Sequence, residues 1–184
     1  VISSPIHLHY GQIMTCLDHS CVLSEKPLCA DVGQAAEIIQ KERETKRFVG
    51  VGYQLSFSRD VLALKRDILS GKFGKPLFMK ALHAMRRGSI YYARNGWAGC
   101  ITKNGYPVYD SPVNNACAHQ LHNMLYLLGQ DGKAAAPVSV QAVLWKAKPE
   151  IENFDAAALR VETEIGVPVL YYTAHCLGTK ALGP

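Results

Sequence analysis

Short apolar runs alternate with a helical pattern in the N-terminal part of the chain, and this order restricts the fold more than any other feature. Residues 21–23 are a short apolar run, and residues 31–46 have apolar side chains at helical spacing. Residues 48–53 are apolar without alternation, as in a parallel strand that is covered on both faces. With residues 1–2 as the end of a further strand and a helix over 6–17, the order predicts part of a doubly wound α/β domain.

The rest of the chain has a different pattern, in which helices are followed by strands with polar–apolar alternation. We predict helices over residues 59–69 and 112–128, and strands over residues 77–85, 138–144, 157–164 and 169–175. The alternation predicts a largely antiparallel sheet with one wet face and a helix packed on it, so the whole chain is α/β plus α+β. We expect two domains, residues 1–55 and residues 56–184, and we expect residues 178–184 to form a loop at an incomplete end of the sheet.

Composition excludes several classes of protein. With 48% hydrophobic and 19% charged residues, the chain is not intrinsically disordered. It contains no apolar run of the roughly 18–20 residues that span a membrane. The 20 basic residues exceed the 15 acidic ones but are spread along the chain, which argues against nucleic-acid binding. The six cysteines include no CxxC pair and no zinc-finger spacing, so we predict reduced thiols in a cytoplasmic protein without a metal site.

The first candidate site residue is Lys26, within the tripeptide Glu25-Lys26-Pro27. The tripeptide follows the predicted strand 21–23, and doubly wound sheets bind ligands at the carboxyl ends of their strands. Pro27 restricts the Lys26 backbone to extended conformations. A lysine held in a cleft can contact a substrate hydroxyl, and burial lowers its pKa toward values useful for proton transfer. The alternative is a surface turn with an exposed lysine.

The second candidate site lies on the predicted helix 112–128, where Asn115, His119 and His122 share one face. A polar stripe on an otherwise apolar helix needs partners, because buried polar groups are seldom left unpaired. His119 has the residue type of a general acid or base at neutral pH. The alternatives are a histidine satisfied in the core, or two histidines that bind a metal without a third ligand nearby in sequence.

The third candidate site is the stretch 86–110, which is rich in glycine, tyrosine, arginine and asparagine. A segment of this length without regular structure is usually functional or disordered. Tyr92, Arg94 and Trp97 offer stacking surfaces and hydrogen-bond donors that suit a polyol or sugar. The alternative is a surface loop or a contact between subunits.

Several of these segments together resemble a known family. They are Val1-Ile2-Ser3-Ser4-Pro5, Val22-Leu23-Ser24-Glu25-Lys26-Pro27-Leu28, Gly52-Tyr53-Gln54, residues 71–76 and residues 151–155. They are similar to the family of glucose–fructose oxidoreductase, inositol dehydrogenase and MocA. The resemblance implies a Rossmann domain, an open-faced sheet domain and a nicotinamide, from NAD or NADP, between them. The resemblance also implies that the phosphate-binding glycine loop lies upstream of Val1. Because no GxGxxG motif occurs in the chain, we expect no useful NAD affinity in these residues alone.

The resemblance also assigns roles to individual residues. It implies cofactor contacts for Pro5, His9, Glu25, Lys26, Gln54 and Trp97. It implies catalytic roles for Lys26 and His119, and substrate contacts for Lys26, Tyr92, Arg94, Asn115, His119 and His122. The family commonly has an aspartate where this chain has Asn115. The usual proton relay is then changed, and Asp110 is a candidate to compensate.

The leading hypothesis is therefore an NAD(P)-dependent oxidoreductase that transfers a hydride between a nicotinamide and a sugar, cyclitol or related hydroxy compound. One alternative is a non-catalytic regulator that binds the cofactor and a sugar. Another is an NAD-assisted glycosidase. The resemblance further implies a homo-oligomer formed through the open face of the sheet, with no nucleic-acid or membrane partner.

Overall fold

In a computed structural model, which describes residues 1–178, the N-terminal part is a small parallel sheet. Strands β1 (Val22–Ser24) and β2 (Val49–Val51) pair in parallel, and Ile2 forms a parallel bridge to Ser24. Helices α1 (Ile6–Cys16) and α2 (Val32–Thr45) make the two crossovers. The core between them consists of Ile2, Ile13, Leu17, Val22 and Ile38. The predicted doubly wound arrangement is confirmed, and residues 179–184 of the predicted terminal loop lie outside the described residues.

The start of α2 shows how the local sequence sets these crossovers. The Asp31 side chain accepts a hydrogen bond from the Gln34 backbone N–H at 3.0 Å. In return, the Gln34 side chain accepts one from the Ala30 N–H at 3.2 Å. Two amides that the helix leaves unpaired are thus satisfied, as in a capping box. The capping box therefore fixes the start of α2, and this helix returns the chain to β2, which pairs with β1.

The second part of the molecule contains a mixed sheet, helices and a short hairpin. Its elements are a 3₁₀ turn (Gln54–Phe57), α3 (Arg59–Leu69), β3 (Met79–Ala84), α4 (Ser89–Ala93), β4 (Thr102–Lys103), β5 (Tyr106–Pro107), α5 (Ala118–Leu128), β6 (Pro137–Trp145), β7 (Ala156–Thr163) and β8 (Val169–Ala174). The large sheet has the order β3-β8-β7-β6, in which β3 and β8 are parallel and the other pairs antiparallel. The predicted loop 86–110 contains α4 and the β4–β5 hairpin. Among residues 1–178, the helices are all too short or too polar to cross a lipid bilayer.

The predicted continuous helix over residues 112–128 is wrong in its middle. Ser111 caps it as expected, accepting from the Asn114 N–H at 3.1 Å, but residues 112–116 form a π-helical turn. The chain then breaks at Cys117, where φ is −111° and ψ is 17°, and α5 begins at Ala118. The Tyr171 hydroxyl donates to the Cys117 carbonyl at 2.6 Å, and a lysine far away in sequence donates to the Asn115 carbonyl. Donors from outside the helix thus form hydrogen bonds to carbonyl oxygens that would accept hydrogen bonds within a regular α-helix.

The C-terminal end of α5 is closed by Lys65 of α3. This lysine is only 5% exposed. Its ammonium donates to the carbonyls of Tyr126, of Gly129 at 2.7 Å and of Lys133 at 3.0 Å. A positive charge is favourable at a helix C-terminus, where the last carbonyls lack partners. Lys65 therefore fixes α3 against α5.

We expect Lys65→Met to lower the free energy of unfolding by about 2–3 kcal/mol, because it leaves three buried carbonyls without their charged donor. Methionine keeps the apolar stem, so lost packing contributes little. The exposed Lys75 provides the control, and Lys75→Met should stay within about 0.5 kcal/mol of the unchanged protein. Urea unfolding measures both values, and equal stability of the two variants would contradict a capping role.

Candidate functional site

Lys26 lies at the carboxyl end of β1 and reaches the π-helical turn. Its ammonium donates to the carbonyl oxygen of Asn115 at 2.6 Å and to the side-chain Oδ1 of the same residue at 2.8 Å. The predicted strand end and the predicted polar helix face therefore meet, although the two residues are 89 positions apart. Lys26 is partly buried in this position and is not an exposed turn residue.

Asp110 holds the Asn115 side chain in a defined orientation. Asn115 Nδ2 donates to Asp110 Oδ1 at 2.7 Å, and the Gly99 N–H donates to Asp110 Oδ2 at 2.7 Å. Because the carboxylate accepts from the amide nitrogen, the amide oxygen turns toward Lys26. Asp110 is only 3% exposed. The result is a chain of hydrogen bonds from a lysine through an asparagine to a buried carboxylate.

The local environment changes the proton affinity of Lys26 and Asp110. Burial lowers the pKa of Lys26, and the charge of Arg87 acts in the same direction, while Glu25 and Asp110 oppose it. Burial raises the pKa of Asp110, against hydrogen bonds from Gly99 and Asn115 and the charges of Arg94 and Lys26. Both shifts destabilise the charged form, so each group exchanges a proton more readily near neutral pH than it would in water.

His119 belongs to the same cluster, because the charges of Lys26 and Glu25 reach its ring. Burial lowers its pKa below the ordinary value, and the charge of Lys26 adds to the effect while Glu25 opposes it. Its ring meets the Tyr53 ring edge-on, with centroids 5.7 Å apart. Its buried Nδ1 has no hydrogen-bond partner among residues 1–178. The neutral imidazole is the form of histidine that can accept a proton from a bound molecule.

His122 is held by its neighbours. Ser56 Oγ donates to Asn123 Oδ1 at 2.6 Å and lies 2.8 Å from His122 Nδ1, so it accepts the ring N–H. The His122 ring stacks on Tyr53 with centroids 4.0 Å apart. It also lines a cavity of about 510 Å³. Within residues 1–178, no three His, Cys, Asp or Glu side chains converge as metal ligands.

A groove of about 300 Å³ lies at the carboxyl ends of β1 and β2. Glu25, Gly52 and Gln54 line it. A Cβ atom at Gly52 would stand 3.3 Å from Glu25 Oε2, so glycine keeps this wall open. The carboxylate offers acceptors for ribose hydroxyls, and the exposed Gln54 amide can pair with a carboxamide. These residues fit the nicotinamide half of a dinucleotide, at the sheet edge where such cofactors bind.

Of the predicted cofactor and substrate residues, Glu25 and Gln54 line this groove, whereas Pro5, His9 and Tyr92 lie elsewhere. Pro5 precedes α1 as its N-cap residue. His9 is only 1% exposed, and its ring nitrogens each lie 2.8 Å from a backbone carbonyl, those of Pro27 and Ser4. Tyr92 is buried, with its hydroxyl 3.1 Å from His175 Nδ1. His9 therefore holds the segment that carries Lys26, and Tyr92 is part of the core.

Trp97 and Arg94 lie together on the segment after α4. The Arg94 guanidinium is 5.7 Å from the Trp97 ring and close enough to Asp110 to lower the pKa of that carboxyl. The structure thus brings Glu25, Lys26, Asn115 and His119 together, with Arg94 at the edge. Sequence reasoning gave no role to Tyr53, although its place directly after Gly52 at the end of β2 was a usable signal.

Comparisons with known proteins identify the family of the chain. Residues 1–53 match the sequence profile of the Gfo/Idh/MocA oxidoreductase family, described as an NAD-binding Rossmann fold. An inositol 2-dehydrogenase of Mycolicibacterium vanbaalenii is 31% identical over 136 residues, which are 71% of this chain and 34% of the relative. The inositol 2-dehydrogenase of Rhodococcus erythropolis is 25% identical over 91% of this chain and 46% of its own length. The chain thus spans less than half of these curated relatives.

Solved structures share the fold. The WlbA dehydrogenase of Bordetella pertussis, crystallised in complex with NADH and UDP-GlcNAcA, superimposes with a TM-score of 0.83. The likeness covers 99% of this chain and 56% of that protein, at 19% sequence identity. The similarity extends over both sheets, and this supports the arrangement of one relative to the other.

Proposed function

Because the chain belongs to the glucose–fructose oxidoreductase, inositol dehydrogenase and MocA family, we propose that the whole protein is an NAD(P)-dependent oxidoreductase acting on a sugar, cyclitol or related hydroxy compound. The observation that carries the proposal is the contact of Lys26 with Asn115 beside His119, at the carboxyl ends of two parallel strands. The inositol 2-dehydrogenases among its relatives support a polyol substrate.

In the proposed reaction, the nicotinamide, when bound, supplies the carbon that accepts a hydride. Lys26 donates a hydrogen bond to the substrate hydroxyl oxygen and stabilises the negative charge that develops there. His119 accepts the hydroxyl proton, because its lowered pKa keeps the ring neutral at neutral pH. Glu25 and Gln54 orient the cofactor in the groove that they line.

We assign Asn115 an anchoring role. An amide cannot ionise, so it contributes only hydrogen bonds to Lys26 and to a substrate. The carboxylate that accepts a hydrogen bond from this amide belongs to Asp110. Asp110 is therefore a positioning residue, because it fixes the amide and favours the charged form of Lys26.

We expect the full-length protein to reduce NAD⁺ or NADP⁺ with at least one member of a panel of sugars and cyclitols. Absorbance at the nicotinamide band measures this directly, and aryl glycosides in the same panel report any glycosidase activity. Glycoside cleavage without net reduction of the cofactor would favour an NAD-assisted glycosidase. Tight binding of cofactor and sugar with no chemistry at all would favour a non-catalytic regulator, the alternative that Asn115 in place of aspartate supports.

Three further features belong to the same proposal. We place the domain boundary near residue 55, at the 3₁₀ turn Gln54–Phe57.

The open face of the large sheet presents Leu82, Tyr172 and Val143 in one exposed cross-strand row with Ala158, which supports a homo-oligomer formed through this face. A cytoplasmic location with reduced cysteines remains a prediction.

A further inference from the structure

Two arginines are stacked on the same tyrosine beside the proposed active site. The Arg87 guanidinium lies 4.5 Å from the centroid of the Tyr91 ring, and that of Arg94 lies 3.8 Å from it. Within residues 1–178, neither arginine forms a salt bridge with a carboxylate. Arg87 Nε is buried and has no hydrogen-bond acceptor in the same part of the chain. Both guanidiniums are therefore held in place and have N–H donors available for a bound group.

Both guanidiniums act on the groups of the cleft. The charge of Arg87 contributes to the lowered pKa of Lys26, and the charge of Arg94 lowers that of Asp110. Burial, followed by both arginines, lowers the pKa of His175 to about 4, so this histidine stays neutral. Among the groups whose charges act on Lys26 and Asp110, the side chains of Arg87 and Arg94 add two cations to Lys26, and neither is paired with the carboxylate of Glu25 or Asp110. These unpaired cations attract an anionic group more strongly than a neutral polyol.

We propose that Arg87 and Arg94 form a subsite for an anionic group on the substrate, a carboxylate or a phosphate, next to the hydroxyl that Lys26 contacts. Guanidinium groups bind both anions with paired hydrogen bonds, and stacking on Tyr91 fixes the two forks in advance. The inference rests on the proposed function for the position of the reacting hydroxyl, but the subsite itself is defined by the arginines. The substrate class narrows from sugars in general to sugar acids or sugar phosphates.

A purely structural role for the arginines is the alternative. In that role they would stabilise the segment around α4 (Ser89–Ala93) by stacking alone, and their charge would have no effect on ligand affinity. The neighbouring Arg86 provides a matched control, because it is exposed and lies next to Arg87 in sequence.

Isothermal calorimetry on the full-length protein tests the subsite with three probes: D-glucuronate, D-glucose 6-phosphate and D-glucose. We expect at least one anionic probe to bind about tenfold or more tightly than glucose, with an affinity that falls as salt is added. Arg87→Gln and Arg94→Gln should each remove about tenfold of this preference, while Arg86→Gln should not change it. The tighter of the two anions tells a carboxylate subsite from a phosphate subsite.

Equal affinity for glucose and both anions would overturn the subsite. So would losses in Arg87→Gln and Arg94→Gln no larger than the loss in Arg86→Gln. Thermal unfolding of each variant identifies any loss that comes from unfolding. The binding assay needs no turnover, so a failure of the proposed oxidoreductase activity is seen separately, as absence of cofactor reduction while anions still bind.

Discussion

Lys26→Met should lower the turnover number of the full-length protein by about 10²-fold or more, the usual contribution of a positioned proton-transfer group. The reason is that Lys26 supplies the ammonium that contacts Asn115. Methionine preserves the length of the side chain and its packing, so the fold should be retained. Initial rates with the reactive member of the substrate panel provide the measurement.

Two comparisons separate catalysis from structure in this experiment. Lys75→Met removes an exposed lysine and should leave turnover unchanged. Cofactor binding by Lys26→Met should remain within a few-fold of that of the unchanged protein, since Glu25 and Gln54 still line the groove. Near-normal turnover of Lys26→Met would show that Lys26 is only a structural link between β1 and the π-helical turn.

Moving the carboxylate from position 110 to position 115 should restore activity that the loss of Asp110 removes. Asp110→Asn leaves the Asn115 amide without its carboxylate partner and leaves Lys26 with Glu25 as its nearby carboxylate, and we expect turnover to fall about tenfold. In the double variant Asp110→Asn with Asn115→Asp, the carboxylate contacts Lys26 directly. Turnover should then recover, because the carboxylate lost from position 110 is replaced at position 115.

The double variant should also shift the pH dependence. A carboxylate at position 115 stabilises the imidazolium of His119, which raises the pKa that its surroundings now lower. The limb of the rate profile that requires neutral His119 should therefore move upward by about one pH unit. Asn115→Asp alone should shift less, because two carboxyl groups in hydrogen-bond contact share a proton. A double variant no more active than Asp110→Asn, or an unmoved limb, would contradict the positioning role.

The parallel strands and the helix starts could be predicted from local sequence. The Asp31 and Ser111 caps act on amides three residues away, and the apolar run 48–53 predicted β2. The prediction that this strand is covered on both faces is wrong, because Val49–Val51 is only half-buried and Phe48 is exposed. The edge of the sheet that binds ligands could be predicted from the same pattern, since Lys26 lies two residues after the end of β1. Contacts between residues this close in sequence depend on neighbouring side chains, so the local sequence is enough to predict them.

The break at Cys117 and the orientation of several site residues could not be predicted in this way. The π-helical turn depends on Lys26, which is 89 positions away from Asn115, and on Tyr171, which is 54 positions away from Cys117. Tyr92 turns inward because Ala98 and Ile151 pack against it. These partners come together only through the tertiary fold, and the spacing of residues in the sequence does not predict their contacts.

The most direct test of the proposed active site is the fate of the carbon-bound hydrogen of the substrate. The reactive member of the sugar and cyclitol panel, deuterated at its ring carbons, would be incubated with the full-length protein and oxidised cofactor. Mass spectrometry of the reduced cofactor should find one deuterium per molecule, and Lys26→Met should slow its appearance by about 10²-fold. Reduced cofactor without deuterium, or deuterium lost to water with no reduced cofactor, would contradict the account.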